Sequence, residues 1–188
     1  MKKMMILSVI AISAVFASCN KVTQLANINV DIPYNQQVSV PQIPGAIYGI
    51  PLPPGGATLN FPAVPVATNS QDYIAQNKTS IEKVVNVYLK SLAIQILSPA
   101  NQNFDFLDNI QVYISSKSQP ERIIADQYNI PKGQTTLNLA TSTDVNLKNY
   151  FIEDTIYFRL NAHINAVPIS GTQLNIASVF HMLANPLL

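Results

Sequence analysis

The sequence predicts an all-β chain folded as an antiparallel sandwich, with one or two short helices in the connections. Three observations carry this. Apolar and polar residues alternate in several separate runs, which is the period of two of a half-buried strand. Ile110, Val112 and Ile114 set among Asn109, Gln111 and Tyr113 form one such run, and residues 156–164 form another. Pro, Gly, Asn and Asp gather between the runs, where turns need them. Helical spacing never extends beyond a turn or two, so no helix layer is available to cover a sheet, and sheet must pack on sheet. A chain of 188 residues is long enough for one domain with its own core.

At the N-terminus, Lys2 and Lys3 precede an uncharged stretch, residues 4–16, interrupted only by Ser8 and Ser13. That is the length of a secretory signal core and well short of the ~20 residues a membrane-spanning helix needs. Phe16-Ala17-Ser18-Cys19 follows, and Cys19 is the only cysteine of the chain. These four residues resemble the lipobox of bacterial lipoproteins, with Phe16 where Leu is commonest. The resemblance implies cleavage before Cys19, acylation of Cys19, and a membrane anchor of several fatty chains, which holds stably where one chain is marginal. Asn20 is not the Asp that retains enteric lipoproteins in the inner membrane. Lys21-Val22-Thr23-Gln24 lacks the acidic cluster that sends some lipoproteins to the cell surface. By those sorting rules the expected location is the outer membrane, lipid-anchored and facing the periplasm, with the cell surface as the alternative. Residues 1–18 are then a signal peptide, 19–25 a lipidated tether and 26–188 a single sandwich domain.

Ile28, Val30 and Ile32 alternate with Asn27, Asn29 and Asp31 and predict a first strand that Pro33 ends, with Val38 and Val40 as a brief continuation. Residues 41–66 are irregular. Prolines and glycines sustain neither a helix nor a central strand there. No Asp, Glu, Lys or Arg occurs between Asp31 and Asp72. Disordered segments are normally charged or polar, yet this one carries Ile43, Ile47, Tyr48, Ile50, Leu52, Leu59, Phe61 and Val64. It is expected to lie against something apolar. Either it wraps its own sandwich as irregular edge strands, or Ile43, Ile47, Tyr48, Ile50 and Leu52 contact a partner or a membrane, as exposed apolar patches do.

Residues 70–82 predict one or two short helical turns, with Ser70 and Ser80 as N-caps. A long strand follows over 84–97. Val85, Val87 and Leu89 share one parity and Leu92, Ile94 and Ile96 the other, so a bulge or a change of sheet is expected near Lys90-Ser91. Ser98-Pro99 closes that strand, and Phe104-Asp105-Phe106-Leu107 sits in a connection. Strands are predicted at 110–115, 121–125 and 135–140, the last with Leu137 and Leu139 inward, with a turn at 129–133. Thr143 is expected to cap a two-turn helix over 143–150. The last two strands, 156–164 and 172–184, are expected to form a hairpin around 167–171.

The formal net charge is +1 and charged residues make up 11% of the chain, so no basic stripe exists and nucleic acid is not an expected partner. No G-x-S-x-G, H-E-x-x-H or phosphate loop occurs, and no catalytic residue or cofactor is expected. In the expected hairpin, His163 and His181 stand several residues apart with no Cys or carboxylate nearby, so no metal site is expected. Asp105 and Asp108 with Asn101, Asn103 and Asn109 offer oxygens that calcium could use, but they lack an EF-hand register, and corner capping of backbone amides is the expected role. The adjacent Glu153 and Asp154 would diverge at a strand start, which suits a solvated turn and not a catalytic pair. Trp is absent. Tyr113 and Tyr157 on the wet parity are the candidate ligand contacts if a glycan binds.

Residues 84–188 resemble a recurrent, poorly characterised group of bacterial lipoproteins. The matching stretches are Lys90-Ser91-Leu92-Ala93-Ile94-Gln95-Ile96, then residues 103–114 and Leu147-Lys148-Asn149-Tyr150. More remotely they resemble the water-stress, late-embryogenesis-abundant domains, which implies an immunoglobulin/fibronectin-like sandwich and transfers no functional residue. Asp154-Thr155-Ile156 resembles the short O-glycosylation signal of some bacteria that make such lipoproteins. The expected function is a lipid-anchored, non-catalytic binding or scaffold module of a cell-envelope complex, with the membrane and an envelope protein as partners. A glycan- or lipid-binding lipoprotein is the alternative.

Overall fold

The computed structural model describes residues 27–43, 45, 47–48 and 52–186. Cys19 with its signal and tether, and Ile50, lie outside the described residues. Among the described residues no helix is long and apolar enough to cross a membrane.

The fold is an all-β sandwich of two antiparallel sheets. The smaller sheet runs β1 (Ile28–Ser39), β10 (Gln173–Ala184), β4 (Val84–Ser98), β7 (Thr136–Asn138). In the larger, β9 (Thr155–Ile164), β5 (Leu107–Ser116), β6 (Arg122–Tyr128) and β8 (Ala140–Thr141) follow one another, and β2 (Ala57–Asn60) and β3 (Val64–Ala67) lie end to end along the outer side of β9. The helices are α1 (Ser70–Gln76) and α2 (Lys148–Phe151).

Alternation places the core. Ile156, Phe158, Leu160, Ala162 and Ile164 of β9 are buried, as are Leu174, Ile176, Phe180 and Met182 of β10. These two strands do not form the expected hairpin. They belong to opposite sheets, joined by an arch over residues 165–172. The reason is burial. Each strand carries a complete apolar face, and opposing those faces across the core lets each cover the other, whereas one sheet would point both the same way. The Phe158 and Phe180 rings meet stacked with centroids 6.0 Å apart. Phe180 also packs on Phe151 of α2 at 4.5 Å and edge-on to Tyr34 of β1 at 5.9 Å.

β1 does not stop at Pro33. It pairs with β10 alone and runs through the proline, which an edge strand tolerates. Continuing buries Tyr34, whose hydroxyl donates to the Thr68 carbonyl while burial pushes the phenol well above its usual range. The expected break in β4 is a bulge, not a change of sheet: Val179 faces Ser91 and Phe180 faces Leu89, leaving Lys90 extra. A second register shift, near Val84, turns Val85 outward. The segment 135–140 splits: β7 joins the smaller sheet and β8 the larger, with Leu137 and Leu139 both inward. The strand expected at 121–125 extends to Tyr128 as β6.

The short helical turns expected over 70–82 are present, whereas the second helix is shorter than expected, and the expected caps do not act. α1 is preceded by Asn69 at φ 47°, with Ser70 already helical and buried, and Ser80 leads into a single 3₁₀ turn (Ile81–Lys83) without a side-chain cap bond. α2 begins at Lys148, not Thr143, because Asn146 does the capping: its Oδ1 accepts from Lys148 N at 2.9 Å and Val87 N at 3.3 Å. Asn146 Nδ2 donates to Val85 O at 3.2 Å and Leu147 N to Val87 O at 2.6 Å, so this corner occupies the free edge of β4. Higher up that edge, Leu139 N donates to Leu92 O at 2.9 Å and Ile96 N to Thr135 O at 2.9 Å.

Glu153, in the corner between α2 and β9, is held by the turn after β5. It accepts from the Ser116 hydroxyl at 2.6 Å, from the Lys117 and Ser118 amides at 3.1 Å each, and from the Ser118 hydroxyl. These bonds, Ser116 first, hold its carboxyl below the usual glutamate range.

Two outcomes test this packing. Phe180→Ala is expected to cost about 3–5 kcal/mol, as deleting a core phenylalanine does, read as a shift in the urea midpoint; a loss below ~1 kcal/mol would mean the sheets do not meet at this ring. A carboxylate lowered by folding contributes stability above its unfolded-state pKa and loses it as pH falls through the folded one. The melting temperature should therefore drop between about pH 6 and pH 3, and drop less in Glu153→Gln; equal drops would show that the corner bonds contribute nothing.

Candidate functional site

The expected partner segment divides in two. Ile43 and Leu52 are half-buried and pack on the core. They form the roots of the loop. Ile47 and Tyr48 are its tip and are 63% and 60% exposed. Residues 57–60 and 64–67 are edge strands, with Leu59, Phe61 and Val66 buried. The irregular segment thus packs on its own sandwich at its roots and edge strands and exposes Ile47 and Tyr48 between them.

Opposite the tip stands the arch between β9 and β10. Val40 N donates to Thr172 O at 2.9 Å and Gln42 Nε2 to Ser170 Oγ at 3.1 Å, which brings the two loops together. The arch is braced from below by the buried Gln102, whose Oε1 accepts from Ile169 N at 2.8 Å. Between the loops lies an open cleft of about 130 Å³, with Val40, Ile43, Tyr48 and Ile169 on its apolar side and Gln42 and Ser170 on its polar side. An apolar cavity of about 150 Å³ holds a benzene ring, while ligand pockets usually run to about 300–1,000 Å³. The cleft therefore suits one aromatic or branched aliphatic side chain and not a whole cofactor. Both loops come from stretches without Asp, Glu, Lys or Arg, since none follows Arg159 either. This second charge-free stretch is a sequence signal for the arch, legible only once the two segments are known to meet.

Tyr113 and Tyr157 do share the outer face of the larger sheet, opposite Arg159 and Ser115 respectively. They do not form a platform. The Arg159 guanidinium lies 4.3 Å over the Tyr113 ring and forks onto Glu121 at 2.7 and 2.6 Å, which lowers the Glu121 carboxyl. Tyr113 instead joins Tyr128 through Gln111, which accepts from the Tyr113 hydroxyl and donates to that of Tyr128, each at 3.1 Å. Tyr128 is 55% exposed and lies beyond the expected strand. Tyr157 borders a separate polar hollow with Lys117, Glu153 and Thr155. Thr155 itself opens β9 opposite Ala67.

The histidines sit on opposite sheets, and each has a carboxylate partner, contrary to expectation. His163 Nδ1 is 3.0 Å from Asp108, and His181 Nδ1 is 2.7 Å from Asp31. Lys90, then His181, lowers the Asp31 carboxyl, and Asp31 raises the Lys90 ammonium. Among the described residues no three His, Cys, Asp or Glu side chains gather where a metal could bind. Asp105 caps backbone as expected, accepting from Gly133 N at 2.6 Å, but Asp108 serves side chains, His163 and Asn165.

No family model matches the chain, and no curated protein matches it. Among solved structures, one from Desmodium yellow mottle tymovirus aligns at 13% identity over 87% of this chain and 91% of that one, with a TM-score of 0.25.

Proposed function

We propose that this protein is a lipid-anchored, non-catalytic binding or scaffold module of a cell-envelope protein complex, held at the outer membrane through Cys19. One observation carries the binding surface: a charge-free loop tip exposes Ile47 and Tyr48, and Tyr48 lines a cleft sized for one side chain. Interfaces draw their energy from a few apolar or aromatic anchors seated in pockets, surrounded by contacts that exclude water. A partner that inserts one apolar side chain here desolvates no charge on this side, so the desolvation cost of burying an ion does not arise. The roots at Ile43 and Leu52 hold the tip in place before binding, which reduces the ordering cost that a free loop would meet.

The anchor and the tip are separable. Cys19→Ser is expected to move the protein from the membrane to the soluble fraction; complete sedimentation with membranes would refute the anchor. Ile47→Ser with Tyr48→Ser should leave the melting temperature unchanged, because both side chains are exposed. A photoreactive residue in place of Gln42, which lines the cleft, should crosslink one dominant envelope protein. The double substitution should reduce that product about tenfold or more, the worth of about 1.4 kcal/mol. Undiminished crosslinking would remove the tip from the interface.

A further inference from the structure

His163 makes two contacts that no neutral imidazole can make together. Its Nδ1 lies 3.0 Å from Asp108 Oδ2 and its Nε2 2.8 Å from the Gly55 carbonyl oxygen. Both partners only accept. A neutral ring carries one N–H and one lone pair, so it can satisfy one of them and must turn a lone pair on the other. Only the imidazolium can donate to both. His181 is under a weaker constraint. Its Nδ1 faces Asp31 and its Nε2 the Asn29 Oδ1 at 3.1 Å, but that carboxamide can turn to present an N–H by giving up one exposed bond, Asn29 Nδ2 to Asn27 O at 3.2 Å.

The Gly55 carbonyl cannot rotate. Gly56 N donates to Pro53 O at 3.0 Å, closing a turn with Pro54 second and Gly55 third at φ 97°, the arrangement of a type II turn. Gly56, at φ 68°, sits so close that a Cβ would fall 2.2 Å from Ile164 O and 2.8 Å from the His163 ring. The turn is moulded onto the imidazole, and it ends the loop that carries Ile47 and Tyr48. We propose that His163 is a proton-operated latch: the imidazolium clamps the 53–56 turn to β9, and the neutral ring releases it and loosens the root of the tip loop. Its consequence for binding rests on the tip being the interaction surface; its test does not.

The charged groups around the latch are few. Asp108 faces the ring from β5, and Lys132, in the turn after β6, acts on Asp108 while donating to Asp105 O at 3.1 Å. Asn165 donates to the other oxygen of Asp108 at 2.6 Å and helps keep that carboxyl ionised. β2 and the 53–56 turn contribute no titratable side chain. Protonation supplies the second N–H and its loss removes it, so acid closes the latch and mild alkali opens it.

Hydrogen exchange on the full chain in detergent micelles, corrected for the intrinsic pH dependence of exchange, tests this at pH 5.5 and pH 8.0. Protection of residues 55–60 is expected to fall about threefold or more at the higher pH while that of residues 30–38 holds. In His163→Gln it should be the same at both values. Equal protection in the unaltered protein, or an unchanged pH response in the variant, overturns the latch. Nitrogen NMR of the unaltered imidazole gives a second reading that needs no variant: both ring nitrogens should carry protons while the turn is protected, and a neutral ring under a fully protected turn also overturns it. Loss of crosslinking in the tip variant with no pH response would refute the latch alone, and the reverse would refute the tip alone.

Discussion

Phe180 meets Phe158 across the core, and the path of the chain at one end of the sandwich follows from that contact. β9 and β10 each bury a whole face, so they must oppose each other, and the short link between them has to arch over the end of the core. The arch passes beside the end of β1, because β1 is the other neighbour of β10. Residues 40–43 and 167–171 are thereby brought together, and the cleft between them is a product of how the core closes. Phe180 also receives Phe151 and Tyr34, so the same ring ties down α2 and the edge strand.

Charge is sparse and is spent on local pins. Lys90 and His181 hold Asp31 on one outer face, Arg159 holds Glu121 on the other, and the 116–118 turn holds Glu153 at a corner. Solvent screens exposed pairs of this kind, so the core carries most of the stability and the pins set local geometry. Arg159 illustrates the effect: by lying over Tyr113 it covers one face of that ring. At the tip, Ile47 and Tyr48 stand out in a stretch that carries no charged side chain.

Much of the fold was legible in the sequence because alternation reports burial directly. β1, β5, β9 and β10 were recognisable, and the Lys90 bulge showed as a change of parity. What alternation does not report is which side of the core a strand lies on. The β9–β10 arch and the split of 135–140 between sheets were hidden for that reason, since both strands of a hairpin and both strands of an arch show the same period. Pro33 misled because proline signals a stop unless one knows the strand is an edge. Thr143 misled because the true cap, Asn146, is fixed by Val85 and Val87, some sixty positions away. The site was half legible: Ile47 and Tyr48 were visible as apolar residues in a charge-free run, whereas the wall opposite them depended on a connection that periodicity cannot draw. His163 and Asp108 could not be paired without the β5–β9 register.

The corner around Asn146 has a consequence for crowding. A sheet margin with free amides and carbonyls is a template on which a neighbouring copy can add its own strand. Along β4 that margin is filled from inside the molecule, by Asn146 and Leu147 below and by residues 135–139 above. Molecules confined to a surface encounter one another far more often than in bulk solution, and always in similar orientations. With this border closed, crowded copies find no such template along β4.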